Sequence, residues 1–142
     1  MAPRPSFFFL LLVLLALLPF AAAAQSVSES DAKQTVLRFL EAQRRGDTYT
    51  MRSLMAGELL EERGPLLSNP SYPAYLGETF EHVEFAVDWA ETLGPAAVLI
   101  QASFTYRPGD TITRHYVLRK KGENGRESDA FLIHQDYDPD FR

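Results

Sequence analysis

Residues 28–45 most constrain what this chain can fold into, because capping, periodicity and charge there all specify the same amphipathic helix. Ser28 and Asp31 form an S-x-x-D capping pair, Val27 and Ala32 stand where a hydrophobic staple would sit, and Glu29 and Asp31 occupy the electropositive first turn. At 3.6 residues per turn Ala32, Thr35, Val36, Phe39, Leu40 and Ala42 share one arc, while Gln34, Arg38, Glu41 and Arg45 share the opposite one. Arg44 and Arg45 lie at the negative end, Glu41 and Arg45 are spaced as an ion pair, and Gly46 can take the left-handed conformation that ends a helix. Gln43 alone breaks the pattern, projecting an amide into the apolar arc.

A short segment with Arg4, an apolar run from Phe7 to Leu18 and Ala22-Ala23-Ala24 before Gln25 have the layout of a secretory signal peptide. The expectation is cleavage after Ala24, placing residues 25–142 outside the cytoplasm as a secreted or periplasmic protein, with an uncleaved membrane anchor as the alternative. The chain has no cysteine, so neither a disulfide framework nor a thiolate metal site nor a catalytic thiol is available. One domain of this length can instead rely on an apolar core. The net charge of −5 becomes one unit more acidic once Arg4 leaves with the leader, which disfavours nucleic acid and anionic lipid as partners. After cleavage no membrane association is expected. The run Arg119-Lys120-Lys121 precedes Gly122 and reads as the solvated flank of a turn.

Beyond Gly46, Asp47 can cap a short helix from Thr48 to Ala56 that stops at Gly57, and Glu58 to Arg63 forms a further piece ended by Gly64-Pro65. Leu66 to Gly77, with Pro70, Pro73 and Asn69, reads as a long loop whose Tyr72 and Tyr75 can line the rim of a site or simply pack the loop down. From Phe80 the period changes to two. Val83, Phe85, Val87 and Trp89 share one face of a strand; Val98, Ile100, Ala102, Phe104 and Tyr106 share one face of the next. A third strand, Thr111 to Lys120, sets Ile112, Tyr116 and Leu118 against Thr113, His115, Val117 and Arg119; a fourth runs from about Asp129 to Tyr137. Helices followed by a meander of antiparallel strands make an α+β domain, with the N-terminal helices filling the hollow of a curved sheet.

The run Ala32, Val36, Phe39, Leu40, then Gly46-Asp47, a short helix with Leu54, and a meander ending in Phe131-Leu132-Ile133 resembles the nuclear transport factor 2-like superfamily. The resemblance implies a cone-shaped, ketosteroid-isomerase-like α+β roll whose sheet wraps the first helix and leaves a pocket at the wide end. It also implies that catalytic members carry an Asp or His acid/base, often with a Tyr donor, on the inner face of the cone. Other members bind ligands or partners, so the fold alone chooses no activity.

His134 and Asp136, two apart in the last strand, would share a face and form an oriented acid/base pair if that face is the inner one; His115 is the other catalytic candidate. The bulk of Phe131, Ile133 and Tyr137 argues that His134 and Asp136 point outward, whereas Ala130 and Leu132 on the histidine's side leave the matter open. Gln43, Trp89 and Tyr106, with Tyr72 and Tyr75, are the candidate ligand-binding residues, Gln43 as a pocket amide or as a solvated group at the helix end. His82, His115 and His134 lack the spacing of a metal site, Asp136, Asp138 and Asp140 lack a calcium-loop register, and no phosphate-binding or dinucleotide motif is present. Neither metal nor cofactor is expected. The sequence thus favours an exported domain that binds an apolar or amphipathic small molecule between the first helix and the sheet, or that pairs with a copy of itself. The self-pairing surface would be an outer sheet face carrying Leu99, Val117 or Ile112. The competing readings are a cofactor-independent isomerase, dehydratase or hydrolase, and a purely structural interaction module.

Overall fold

The computed structural model describes residues 28–122 and 124–140; the expected leader and the Val27 staple lie outside them. Residues 28–45 form helix α1, with Ala32, Val36, Phe39, Leu40 and Ala42 buried and Gln34, Arg38, Glu41 and Arg45 exposed, the division its periodicity predicts. Glu41 pairs with Arg45 at 3.8 Å and with Arg44 at 3.7 Å. Gly46 ends the helix at φ +66°, and Asp47 N–H returns to Ala42 O at 2.8 Å.

Helix α2, Thr48–Ser53, is capped by Asp47, whose carboxylate accepts from Thr50 N (3.0 Å) and from the Thr50 hydroxyl (2.6 Å). It stops earlier than expected. Instead of continuing to Ala56, the chain extends so that Met55 bridges Ile133; Ile133 N donates to Leu54 O and Ala56 N to Ile133 O, both at 2.9 Å. Sheet pairing satisfies these backbone groups while burying Leu54, Met55 and Ala56, which outweighs one more helical turn.

Helix α3, Gly57–Leu67, runs through Gly64-Pro65 rather than ending there. Pro65 forfeits only the bond its N–H would give to residue 61, which is exposed to water, while Leu59, Leu60 and Leu67 bury on both sides of the proline. Arg52 Nη2 and the Ser68 hydroxyl donate to Gly64 O at 3.2 and 3.1 Å. The expected loop also contains helix α4, Tyr72–Phe80. Pro73 lies in its first turn, where a missing N–H costs nothing, and Leu76 anchors it in the core.

Four antiparallel strands follow in meander order: β1 (Glu84–Gly94), β2 (Ala97–Arg107), β3 (Asp110–Lys121) and β4 (Glu127–Tyr137). Their inner face carries Phe85, Val87, Val98, Ile100, Ala102, Phe104, Tyr116, Leu118, Phe131 and Ile133, and the core lies between that face and the helices. Phe39 meets Tyr116 edge-on at 6.2 Å between ring centroids. Two bulges decide which later residues face inward. One falls between Val87 and Trp89, leaving Asp88 unpaired, so Val87 opposes inward-facing Ala102 whereas Trp89 opposes outward-facing Gln101. The other inserts His134: Leu118 pairs with Ile133, but the next pair is Val117 with Gln135. Ile133 and Asp136 thereby face the same way although they are three residues apart.

Candidate functional site

At one end of the cone, residues of α1, α3 and α4 and the ends of β2, β3 and β4 line a half-open cavity of about 300 Å³. One side is apolar. Leu66 from α3, Leu76 and Phe80 from α4, Phe104 from β2 and Ile112 from β3 form it, with Tyr72 and Tyr75 stacked at 5.9 Å on the rim. The closing of α4 over this end depends on Gly46, because a Cβ there would stand 2.3 Å from Pro73 O.

The other side is polar, and three elements build it. Arg114 lies on β3 between Ile112 and Tyr116 on the inner face, Arg63 lies one turn beyond buried Leu59 on α3, and Asp136 is turned inward by the bulge at His134. The Asp136 side chain, 6% exposed, accepts from Arg114 Nη2 at 3.1 Å through one oxygen and from Arg63 Nη2 through the other. Gln43 reaches the same cavity, only 7% exposed, and no hydrogen bond joins its amide to another described residue. Burial, reinforced by the Asp136 carboxylate, pushes the Tyr116 phenol far above its usual range. Burial also raises that of Tyr106, against the opposing pull of Arg114. Both phenols are therefore neutral hydrogen-bonding groups at physiological pH.

Gln43, Tyr72, Tyr75, Tyr106 and Asp136, five of the candidates read from the sequence, come together around this cavity. Trp89, His115 and His134 do not. Trp89 stands on the outer face of the sheet because of the bulge at Asp88, and packs edge-on against His115 at 5.4 Å. His115 faces outward as well, with Nε2 3.0 Å from Gln101 Oε1 and its ring 5.3 Å from that of Tyr137. The anticipated His134 and Asp136 pair is not formed: the bulged His134 donates from Nε2 to Lys121 O at 2.9 Å, while Asp136 is held by the two arginines. Ile112, considered above for an outer self-pairing face, instead lines the cavity, whereas Leu99 and Val117 are opposed on the outer face.

Arg63, Arg114 and Tyr116 are the residues that sequence reasoning missed. The signals were present, since Arg114 interrupts the apolar face of its strand at spacing two from Ile112 and Tyr116, and Arg63 continues the buried stripe of Leu59 and Leu60. A larger depression of about 490 Å³ at Ser28, Thr92 to Pro95, Val98 and Phe131 has no titratable side chain among its described lining residues. Among the described residues, no helix is long and apolar enough to cross a membrane.

No family model matches the chain, and no curated protein sequence matches it. Among solved structures, the chain is similar to an NTF-2-like protein of unknown function from Shewanella oneidensis MR-1, with a TM-score of 0.53 at 15% identity over 75% of this chain and 94% of that one. That likeness is one of fold, and with the helix-filled antiparallel meander it gives this chain the α+β fold of the nuclear transport factor 2-like proteins.

Proposed function

We propose that this domain binds an amphipathic small molecule in the cavity at the end of its cone. The observation that carries the reading is a cavity with one apolar and one polar side, onto which the Gln43 amide opens from the last turn of α1. The amide keeps access to the cavity, so an occupant able to bond it takes over the bonds that water makes there. Apolar walls with a few convergent polar groups are the usual make-up of a small-molecule site. Histidine-based catalysis gains no support, because neither His115 nor His134 lines the cavity. We further propose that the domain works after export, on the strength of the leader pattern in residues 1–24, and that Leu99, Trp89 and Tyr137 on the outer face, where Val117 is itself buried, are the surface for any self-association.

Native mass spectrometry of the protein purified from its host's envelope fraction, compared with the denatured mass, tests these points together. The expected result is a polypeptide beginning at Gln25 with a mass excess that disappears on denaturation. A bare native mass, unchanged after incubation with host small-molecule extract, would overturn the binding reading. A mass retaining residues 1–24 would overturn cleavage.

A further inference from the structure

The polar side of the cavity carries more positive charge than its own carboxylate neutralises. Two guanidiniums, Arg63 and Arg114, face one carboxylate, Asp136, in a chain whose net charge is −5. Among the lining residues the local sign is opposite to the global one, with Asp110, near Tyr106, the further carboxylate at that end. Each arginine gives Asp136 a bond from Nη2 alone, and neither guanidinium makes another hydrogen bond to a described residue. A guanidinium has five N–H donors, so Nε and Nη1 of both remain available. Side-chain exposures of 24% for Arg63 and 30% for Arg114, against 6% for Asp136, put the carboxylate beneath and the spare donors within reach of an occupant. Asp136 thus holds two cations side by side that would otherwise repel one another.

We propose that the ligand is an amphipathic carboxylic acid whose carboxylate is taken by the spare donors of Arg63 and Arg114, with its apolar body lying along Leu66, Phe104 and Ile112. The proposal rests on the small-molecule reading above and specifies its head group. Planar guanidinium donors match a carboxylate better than they match a neutral hydroxyl, and a cationic head would meet uncompensated positive charge. At about 300 Å³ the cavity has room for roughly ten water-sized groups, so the acid is short. The protonated phenol of Tyr106 and the Gln43 amide stand beside the same space as further donors.

Octanoate, octanol and octylammonium have one chain length and three head groups, and titration calorimetry of each into the full-length protein tests the proposal. Octanoate is expected to bind roughly tenfold or more tightly than octanol, with no detectable binding of octylammonium. Arg114→Gln is expected to weaken octanoate roughly tenfold while leaving octanol within about twofold, with Arg63→Gln as a second variant of the same kind. Thermal melts of both variants establish that they are folded. Equal affinity for octanoate and octanol, or octanoate binding untouched by either substitution, would overturn the carboxylate proposal while leaving the small-molecule reading in place. Failure of all three probes to bind the folded protein would overturn the proposal, and the mass measurement above judges the broader reading separately.

Discussion

Gly46 and Gly57 have nearly the same backbone conformation, φ +66° and +55°, yet replacing each with alanine should cost very different amounts. The shared term is an L-residue in the left-handed region, about 1–2 kcal/mol. The neighbours differ. At Gly46 the new Cβ would lie 2.3 Å from Pro73 O and 2.9 Å from Pro73 C, closer than the 3.0 Å below which real Cβ contacts essentially never fall. Both are backbone atoms of the first turn of α4, so relief requires α4 to move off α1, at an overpacking cost of about 1–3 kcal/mol. At Gly57 the nearest atom, at 2.6 Å, is His134 Nδ1, part of a side chain that can rotate away at the expense of one partly exposed hydrogen bond to Lys121 O. Gly46→Ala should therefore destabilise by about 2–5 kcal/mol and Gly57→Ala by about 1–2. At about 4 °C per kcal/mol for a domain of this size, melting temperatures should fall by about 8–20 °C and about 4–8 °C respectively. Urea unfolding followed by circular dichroism measures both. The two variants losing equal stability would refute the reasoning, since the conformational term alone cannot separate them. Gly46→Ala should also weaken ligand binding, because Tyr72, Tyr75 and Leu76 ride on the helix it displaces.

Asp136→Ala leaves Arg63 and Arg114 facing each other unpaired; because both arginines are partly exposed, the loss should be about 2–3 kcal/mol in urea unfolding, below the range for a fully buried pair. A loss under about 0.5 kcal/mol would mean that water already screens the cluster. In Tyr116, burial keeps the phenol protonated in the folded state well past the 10.0 at which an unperturbed tyrosine ionises. The unfolded chain therefore loses this proton first, and stability falls as pH rises above 10, by up to about 1.4 kcal/mol per pH unit. Tyr116→Phe should flatten that alkaline slope and leave the slope below pH 10 unchanged; identical slopes for variant and parent would remove the argument. Trp89→Ala, on the outer face, should leave the affinity for any cavity ligand within about twofold and, if the sheet pairs two copies, shift a dimer toward monomer in analytical ultracentrifugation. A large loss of ligand affinity in this variant would contradict its placement.

Long periodic segments were legible because many residues vote for the same structure. The α1 arc, from Ala32 to Ala42, and the inner faces of β2 and β3 follow directly from periods of 3.6 and 2. Elements whose local chemistry conflicts with their tertiary setting were harder to read. Gly64-Pro65 and Pro73 are turn signals in isolation, yet a proline in a first turn or at an exposed carbonyl removes little, and buried leucines on either side supply more. Conversely Met55 and Ala56 follow a helical pattern yet leave the helix after Leu54, because Ile133 on β4 takes the Ala56 N–H and gives its own N–H to Leu54 O.

The candidate site was half legible for one physical reason: alternation along a strand assigns faces only until a bulge. Trp89 follows Phe85 and Val87 at even spacing, and the single unpaired Asp88 sends it to the outer face. His134 and Asp136 are likewise two apart, and the bulge at His134 separates them so that the acid, without the histidine, reaches the interior. Asp88 is steadied on the outside by Gln101 and Ser103, which donate to it at 3.2 and 3.0 Å, so this bulge is held by partners from a strand read later in the chain. His134 is held by Lys121 O and by the close approach of Gly57. In both cases the residue that fixes the local register lies far away in sequence, so a reading confined to neighbours gives the wrong face. The errors are coupled to the function for the same reason: the bulge that removes an acid/base pair from the cone is the one that delivers Asp136 to Arg63 and Arg114. That exchange leaves the histidine outside the cavity and sets there a carboxylate held between two guanidiniums.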